Sequence, residues 1–83
     1  MHLESDSAEP LYIQLAYIIR EDIQNGKYNA EQRIPTEKEL SEIYSVSRIT
    51  IRSALEILVK EGLLMRRRGK GTFIASKKLY KSM

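Results

Sequence analysis

The sequence contains no cysteine, which excludes disulfide bridges and cysteine-based metal sites. Its single histidine, His2, lies in a short acidic segment at the start of the chain that we expect to fray. A serine or threonine nucleophile would therefore lack a base, and a metal ion would lack clustered ligands. The sequence accordingly predicts that the protein is not an enzyme and that it binds neither a cofactor nor a metal.

Long apolar runs are also missing. The uninterrupted apolar stretches are only a few residues long, whereas a membrane-spanning helix needs roughly 20 such residues. The sequence also lacks the basic start and apolar core of a secretory signal. We therefore expect a soluble, cytoplasmic protein with no membrane partner. A chain of 83 residues has room for one small domain, which must carry the function alone.

Basic residues are scarce in the first half of the chain, and acidic residues are scarce in the second half. Residues 1–42 hold 4 Lys or Arg against 9 Asp or Glu, whereas residues 43–83 hold 10 against 2. A basic half of this kind indicates a polyanionic partner, although a merely solvated basic face is the alternative. An anionic membrane surface is disfavoured, because the basic residues do not share an amphipathic helix with a broad apolar face.

The first of three helical patterns starts at Pro10, which suits the first position of a helix. It ends at about Asn25, where Gly26 follows as a stop signal. The predicted buried stripe consists of Leu11, Leu15, Ile19 and Ile23, widened by Tyr12 and Ala16. A polar loop then leads into a short extended piece that ends at Ile34, because the next residue is proline.

The second helix is predicted to begin at a capping box formed by Thr36 and Glu39. It should run for about two turns and bury Leu40, Ile43 and Tyr44. A turn of about three residues separates it from the third helix, which Ser47 caps. The third helix should bury Ile51, Ala54, Leu55 and Leu58 and end at Gly62.

After Gly62 the pattern changes to strand, glycine turn and strand, with a basic tip from Arg66 to Gly71. Three helices, the second and third joined by a short turn, followed by a hairpin, form a winged helix-turn-helix. The predicted fold class is therefore mainly α with a small antiparallel β-hairpin. We expect a tail at residues 1–9, the winged helix-turn-helix domain at residues 10–75, and a linker start or tail at residues 76–83.

The third helix has an outward face opposite its buried residues. Taking 100° per residue, this face holds Ile49, Arg52, Ser53, Glu56 and Lys60, with Arg48 and Thr50 on its flanks. In a major groove, arginine can bind guanine in bidentate fashion and isoleucine can contact a thymine methyl group. The alternative is a solvated face on which Arg52 pairs with Glu56 at i, i+4 spacing.

The hairpin tip gives a second indication of nucleic-acid binding. Arg66, Arg67 and Arg68 repel one another, and a phosphate partner would relieve that repulsion. Gly69 and Gly71 allow the backbone to approach a groove, and a cationic turn suits the negatively charged minor groove. The alternative is a charged edge that blocks strand addition.

Several motifs in this order resemble the DNA-binding domain of GntR-family bacterial transcription regulators. They are Pro35-Thr36-Glu37, Leu40, Val46-Ser47-Arg48, Thr50-Ile51-Arg52, Ala54-Leu55, Leu58, Glu61-Gly62-Leu63 and Gly69-Lys70-Gly71-Thr72-Phe73. The start Pro10-Leu11-Tyr12 with Gln14, and the residues Thr72-Phe73-Ile74, are most similar to the HutC-type branch. The resemblance implies a homodimeric repressor or activator on palindromic operator DNA. The recognition helix, residues 47–61, would enter the major groove, and the wing, residues 66–72, the minor groove.

By position, the resemblance implies contacts to bases and phosphates for Ser47, Arg48, Thr50 and Arg52, places Glu37 and Lys38 near the DNA backbone, and matches Gly69 to the wing tip. Together with the outward face of the third helix and the basic tip, the predicted DNA-binding residues are Thr36, Glu37, Lys38, Ser47, Arg48, Ile49, Thr50, Arg52, Arg68, Gly69, Lys70 and Gly71. Ile49 is a departure, since many members have a polar residue there. Members continue into a C-terminal domain that binds a small-molecule effector and supplies dimer contacts, so we expect this chain to be a fragment without that domain; the alternative is an unusual stand-alone form. The alternative function is a winged-helix protein-interaction module, for which the off-stripe residues Ile13 and Tyr17 are candidates.

Overall fold

A computed structural model describes residues 8–75 of the chain. The order of elements is α1 (Leu11–Gln24), α2 (Glu37–Tyr44), α3 (Arg48–Lys60), β1 (Leu64–Arg67) and β2 (Gly71–Ile74). This arrangement confirms the predicted winged helix-turn-helix of three helices and an antiparallel hairpin. The expectations for the first seven residues and for residues 76–83 lie outside the described part.

Helix α1 buries Leu15, Ala16, Ile19 and Ile23, as its apolar spacing predicts. The stripe is narrower than expected, because Leu11 is only half-buried and Tyr12 is exposed. Pro10 is the N-cap of the helix and not its first helical residue, since its backbone is extended. Its carbonyl accepts the N–H groups of Ile13 and Gln14 and so begins the helix from outside.

Helix α2 begins at the predicted capping box. The Thr36 hydroxyl accepts the Glu39 N–H at 3.1 Å, and the Thr36 N–H donates to the Glu39 carboxylate at 2.9 Å. Leu40 is buried and Tyr44 is half-buried, but the expected burial of Ile43 is wrong, because its side chain is 61% exposed. Leu40 belongs to the core and Tyr44 packs against it, whereas Ile43 lies in a shallow surface hollow next to Pro35.

Helix α3 supplies the centre of the core. Ile51, Ala54, Leu55 and Leu58 are almost completely inaccessible to solvent, as predicted, and the helix packs against α1, α2 and β1. The guanidinium of Arg20 on α1 donates to both carboxylate oxygens of Glu61, at 2.9 and 2.6 Å, just after the end of α3. The two longest helices are therefore joined by buried apolar contacts and, at the surface, by a bidentate ion pair.

Strands β1 and β2 pair from Leu64 opposite Ile74 to Arg67 opposite Gly71. The two residues at the base, Leu64 and Ile74, are buried in the core, which fixes the wing to the helices. Sequence reasoning missed a further pairing. The extended piece before α2 joins β2, because the Ile34 N–H donates to the Thr72 carbonyl at 2.9 Å and Arg33 bridges to Phe73. The start of α2 is thereby held against the wing.

Candidate nucleic-acid interface

The outward face of α3 is close to the predicted one. Ile49 is 72% exposed, and Arg48, Arg52 and Glu56 are also exposed. Ser53 is an exception, because it is half-buried and not fully outward. The helix therefore presents arginine and isoleucine side chains to solvent along its first turns, while its opposite side holds the core together.

The start of α3 uses its two hydroxyl groups locally. The Ser47 Oγ accepts the Thr50 N–H at 3.1 Å, and the two hydroxyl oxygens lie 2.9 Å apart. This capping satisfies one of the amides that a helix leaves without an intrahelical partner. The remaining amides and the positive end of the helix dipole favour an anion, whereas the positive charge of Arg48 at this end opposes the dipole.

Arg52 has an unexpected partner. Its Nη2 donates to the Oε1 of Glu37 at 3.1 Å, and Glu37 is the first residue of α2. The sequence suggested Glu56 as the partner, and that alternative is wrong, because Arg52 turns towards α2 and not along its own helix. The hydrogen bond to Glu37 and the attraction between the two charges raise the pKa of Arg52, which stays positively charged. Its side chain remains 59% exposed and accessible to a ligand.

The structure gives different surroundings to the three wing arginines, which are consecutive in the sequence. Arg66 lies with Nη2 at 3.3 Å from Glu56 Oε1 and with Nη1 at 3.8 Å from Glu37 Oε2. The Arg67 guanidinium lies over the Phe73 ring, 5.3 Å from its centroid. The idea that all three arginines need phosphate is therefore wrong for Arg66, whose charge is met by carboxylates.

The wing tip presents its remaining cations to solvent. The Lys70 N–H donates to the Arg67 carbonyl at 2.9 Å and closes the turn, and Gly69 within it has a φ of 75°. Arg68 and Lys70 are exposed, and neither has an ion-pair partner within residues 8–75. Two positive charges thus point outward from the end of the hairpin.

A shallow groove runs between the starts of α2 and α3 and the start of β2 in the wing. Its lining includes six of the predicted DNA-binding residues: Thr36, Glu37, Lys38, Arg48, Arg52 and Gly71. The other predicted residues flank the groove: Ser47 at the N-cap of α3, Ile49 and the half-buried Thr50 on α3, and Arg68, Gly69 and Lys70 at the wing tip. Residues that are far apart in sequence therefore meet at one surface.

Sequence reasoning missed Arg33, which also lines this groove. Its stem is so close to the wing that a Cβ added at Gly71 would lie 3.0 Å from the Arg33 Cδ. No local pattern distinguishes Arg33 within its polar loop, because it reaches the groove only through its pairing with Phe73. Arg33 adds a further positive charge to this surface.

The described residues offer little for other kinds of site. Within residues 8–75, no group of three His, Cys, Asp or Glu side chains could hold a metal ion. The same part of the chain includes no helix that is long and apolar enough to span a membrane.

Comparison with known proteins decides the family. Residues 11–74 match the family described as bacterial regulatory proteins, gntR family. The chain belongs to the GntR family. It is 51% identical over 81 residues to the uncharacterized HTH-type transcriptional regulator YurK of Bacillus subtilis (strain 168), covering 98% of this chain and 34% of that protein.

Two further proteins are similar to this GntR chain. The chain is 42% identical over 69 residues to the histidine utilization repressor of Pseudomonas putida, covering 83% of this chain and 28% of that protein. Among solved structures, the DNA-binding domain of AraR in complex with operator ORE1 is 45% identical, with a TM-score of 0.79, covering 88% of this chain and 89% of that one. The GntR chain thus spans about a third of the length of the curated relatives, which are regulators of transcription and not enzymes.

Proposed function

We propose that this chain is the sequence-specific DNA-binding domain of a bacterial transcription regulator and that its partner is double-stranded operator DNA. The observation that carries the proposal is the shared groove, in which Arg48 and Arg52 of α3 meet Gly71 and Thr72 of the wing. A duplex placed along this surface would meet α3 in its major groove and the wing tip in its adjacent minor groove. The AraR domain, solved with its operator, supports this placement by its likeness to the chain.

The proposed contacts divide into two kinds. Arg48, Ile49 and Arg52 on α3 read base edges, since they are exposed and of types suited to guanine and thymine. The other contacts go to phosphates and sugars and come from Thr36, Glu37, Lys38, Ser47, Thr50, Arg68, Gly69, Lys70 and Gly71. Glu37 contributes here through its backbone at the positive start of α2, because its carboxylate is occupied by arginine. Phosphate contacts set affinity and position, and base contacts set sequence choice.

The intact regulator extends beyond this chain in our proposal. It is a cytoplasmic, homodimeric repressor of the HutC-like branch on a palindromic operator, and a C-terminal domain binds a small-molecule effector. Residues 10–75 form the DNA-binding domain, residues 1–9 a tail, and residues 76–83 the start of the linker. Support comes from the likeness to the histidine utilization repressor and from the length that the curated relatives have beyond the match.

Regulation follows from this architecture. A two-fold operator presents its half-sites about one helical turn apart, so both α3 helices must be held at the matching separation. The dimer can hold its two DNA-binding domains at different separations. An effector that binds more tightly to the dimer at one separation shifts the population towards that conformation. In the intact dimer, release from DNA would therefore require a change in spacing and no change within the domain described here.

The second candidate is a protein-interaction module, which the exposure of Tyr17 (54%) and Ile43 favours. The two side chains are large and apolar, and a partner could cover them. Neither residue lies in the basic groove between α2, α3 and the wing, so this function would use a different surface.

Selection from random duplex DNA with the 83-residue chain tests the proposal. We expect an enriched half-site, and an affinity for it that falls steeply as salt is raised from about 50 to about 200 mM. An unselected duplex of equal length is the control. Selection without enrichment, together with binding that hardly responds to salt, would overturn the DNA-binding function in favour of the interaction module.

A further inference from the structure

Arg66 differs from the other wing cations in what its charge meets. Its guanidinium lies between Glu37 at the start of α2 and Glu56 on α3, at 3.8 and 3.3 Å. The Arg67 guanidinium stacks on Phe73, and Arg68 and Lys70 have no ion-pair partner in the described part of the chain. Among the wing cations, Arg66 is therefore the one whose ion pairs cross from the hairpin to two helices.

Backbone pairing with residues 33 and 34 holds β2 as far as Thr72, and the ion pairs of Arg66 are the corresponding tie on β1. Arg66 lies opposite Thr72, and beyond this pair the wing has one more residue pair and the turn. Residues 66–71 are all exposed, so apolar burial fixes the wing only nearer its base, at Leu64 and Ile74. The ion pairs of Arg66 hold the hairpin to the helices at the point where burial ends.

The same contacts involve Arg52, because Glu37 is shared. One carboxylate oxygen of Glu37 accepts from Arg52 at 3.1 Å and the other lies 3.8 Å from Arg66. The cluster of four side chains carries two positive charges and two negative charges, from Arg52, Arg66, Glu37 and Glu56. A phosphate would have to compete with both carboxylates for Arg66, and the cluster offers it no net positive charge.

We propose that Arg66 is a positioning residue and not a phosphate ligand: it fixes the angle of the wing to α3 and, through Glu37, the side chain of Arg52. The part of this inference that concerns operator recognition rests on the proposed DNA-binding function, whereas the angle of the wing does not. Exposed ion pairs add little to folding stability, so the contribution of Arg66 is to orientation. The planar guanidinium suits this role, because it offers donors in two directions at once.

Residual dipolar couplings of backbone amides in the DNA-free chain test the angle of the wing. In the wild-type protein, the couplings of residues 67–71 should fit the same alignment tensor as those of the three helices. In Arg66→Met we expect the wing couplings to shrink and to depart from that tensor. The matched control is Arg68→Met, which removes the same charge from the tip and should leave the fit unchanged. Couplings that are the same in Arg66→Met and wild type would overturn the proposal.

Binding measurements with the selected half-site duplex test the consequence for recognition. Arg66→Met should weaken binding by about 3- to 30-fold while leaving the dependence of log Kd on log salt unchanged. Arg68→Met should lower that slope by up to about 1, as loss of a phosphate contact does. Arg66→Lys keeps the charge but replaces the two amino groups with one ammonium, so we expect it to behave like Arg66→Met.

The two experiments separate the possible failures. A lowered salt slope in Arg66→Met, with wild-type behaviour in Arg66→Lys, would identify Arg66 as a phosphate ligand and refute the positioning role. If the wild-type chain binds neither the half-site nor an unselected duplex, the proposed function fails, and the dipolar couplings alone decide whether Arg66 orients the wing.

Discussion

Two isoleucines on α3 show how strongly the role of a residue depends on its position along the helix. Ile51 is completely inaccessible to solvent, whereas Ile49, two positions earlier, is 72% exposed. A separation of two residues turns the side chain by about 200°, to nearly the opposite side of the helix. The same side chain therefore holds the core together at one position and is available to a ligand at the other.

Alanine substitution should separate these two roles. We expect Ile51→Ala to lower the free energy of unfolding by about 2–5 kcal/mol, because it leaves a cavity in the core. Ile49→Ala should change that free energy by no more than about 0.5 kcal/mol, since its side chain is mostly in water. Urea unfolding at equilibrium measures both, and equal losses in the two variants would contradict the assignment of the core.

Arg52 is the residue that we expect to contribute most to base recognition. Arg52→Ala should weaken binding to the selected half-site by about 5- to 150-fold and relax base choice at one position. Lys60→Ala, on the last turn of the same helix, is the matched control, with no change in base choice. The measurement is a titration of the half-site and its single-base variants. An equal loss of affinity for unselected duplex would show that Arg52 does not contribute to sequence specificity.

At the scale of elements, α2 depends on its first turn more than the longer helices do. It has eight residues and one fully buried side chain, Leu40. Isolated helices of this length are unstable in water, so capping and packing must supply what length does not. The capping box also places Glu37 at the groove, where it meets Arg52 and Arg66. The first turn of α2 therefore both stabilises this helix and fixes the position of Glu37 in the groove.

Removal of the cap should be measurable. Thr36→Ala is expected to lower the free energy of unfolding by about 0.5–2 kcal/mol, because the Glu39 N–H loses its acceptor. Lys38→Ala, within the same turn but outside the capping box, should leave that free energy nearly unchanged. Urea unfolding compares the two variants. If they were equally stable, the box would contribute nothing to the fold.

The wing tip allows a separate prediction about affinity. Lys70→Ala should weaken binding to all duplexes alike and lower the slope of log Kd against log salt by up to about 1, because one phosphate contact is lost. Its footprint should also lose protection in the minor groove beside the half-site. An unchanged footprint there would count against the placement of the wing.

For the molecule as a whole, local signals predicted the elements and tertiary contacts decided the details of the surface. Capping residues and apolar spacing predicted three helices, the three-residue turn and the hairpin, because each depends on neighbours within a few positions. The exposure of Ile43, the pairing of Arg33 with Phe73 and the partner of Arg52 depend on how separate elements pack. The outward face of α3 was predictable, and the Glu37 carboxylate that meets Arg52 was not.

Alkaline pH should destabilise the whole domain. Burial raises the pKa of Tyr28 and of Tyr44 above the usual value of 10.0; the charge of Lys27 partly offsets this increase on both, and the charge of Asp22 adds to it. The unfolded chain therefore loses these protons first as pH rises, which favours unfolding. We expect stability from these groups to be fully present below pH 10 and to fall as pH rises past it.

Urea unfolding between about pH 8 and pH 11 measures this effect. Tyr44→Phe, which has no ionisable hydroxyl, should lose stability less steeply with pH than the wild-type chain. The attraction of Lys27 to both Tyr28 and Asp22 raises the pKa of that lysine. The stability that Lys27 contributes is therefore also lost as pH rises. A wild-type chain that is equally stable at both ends of the range would refute the prediction.

The separation of the two faces of α3 has an evolutionary consequence. Because Ile49 makes no contribution to the core, a lineage could exchange it for many other residues and keep the melting temperature of its ancestor. The preferred operator could then diverge by single substitutions, each tolerated by the scaffold. Ile51 has no such freedom, so duplicated copies of this domain should vary at the first position and retain an aliphatic residue at the second.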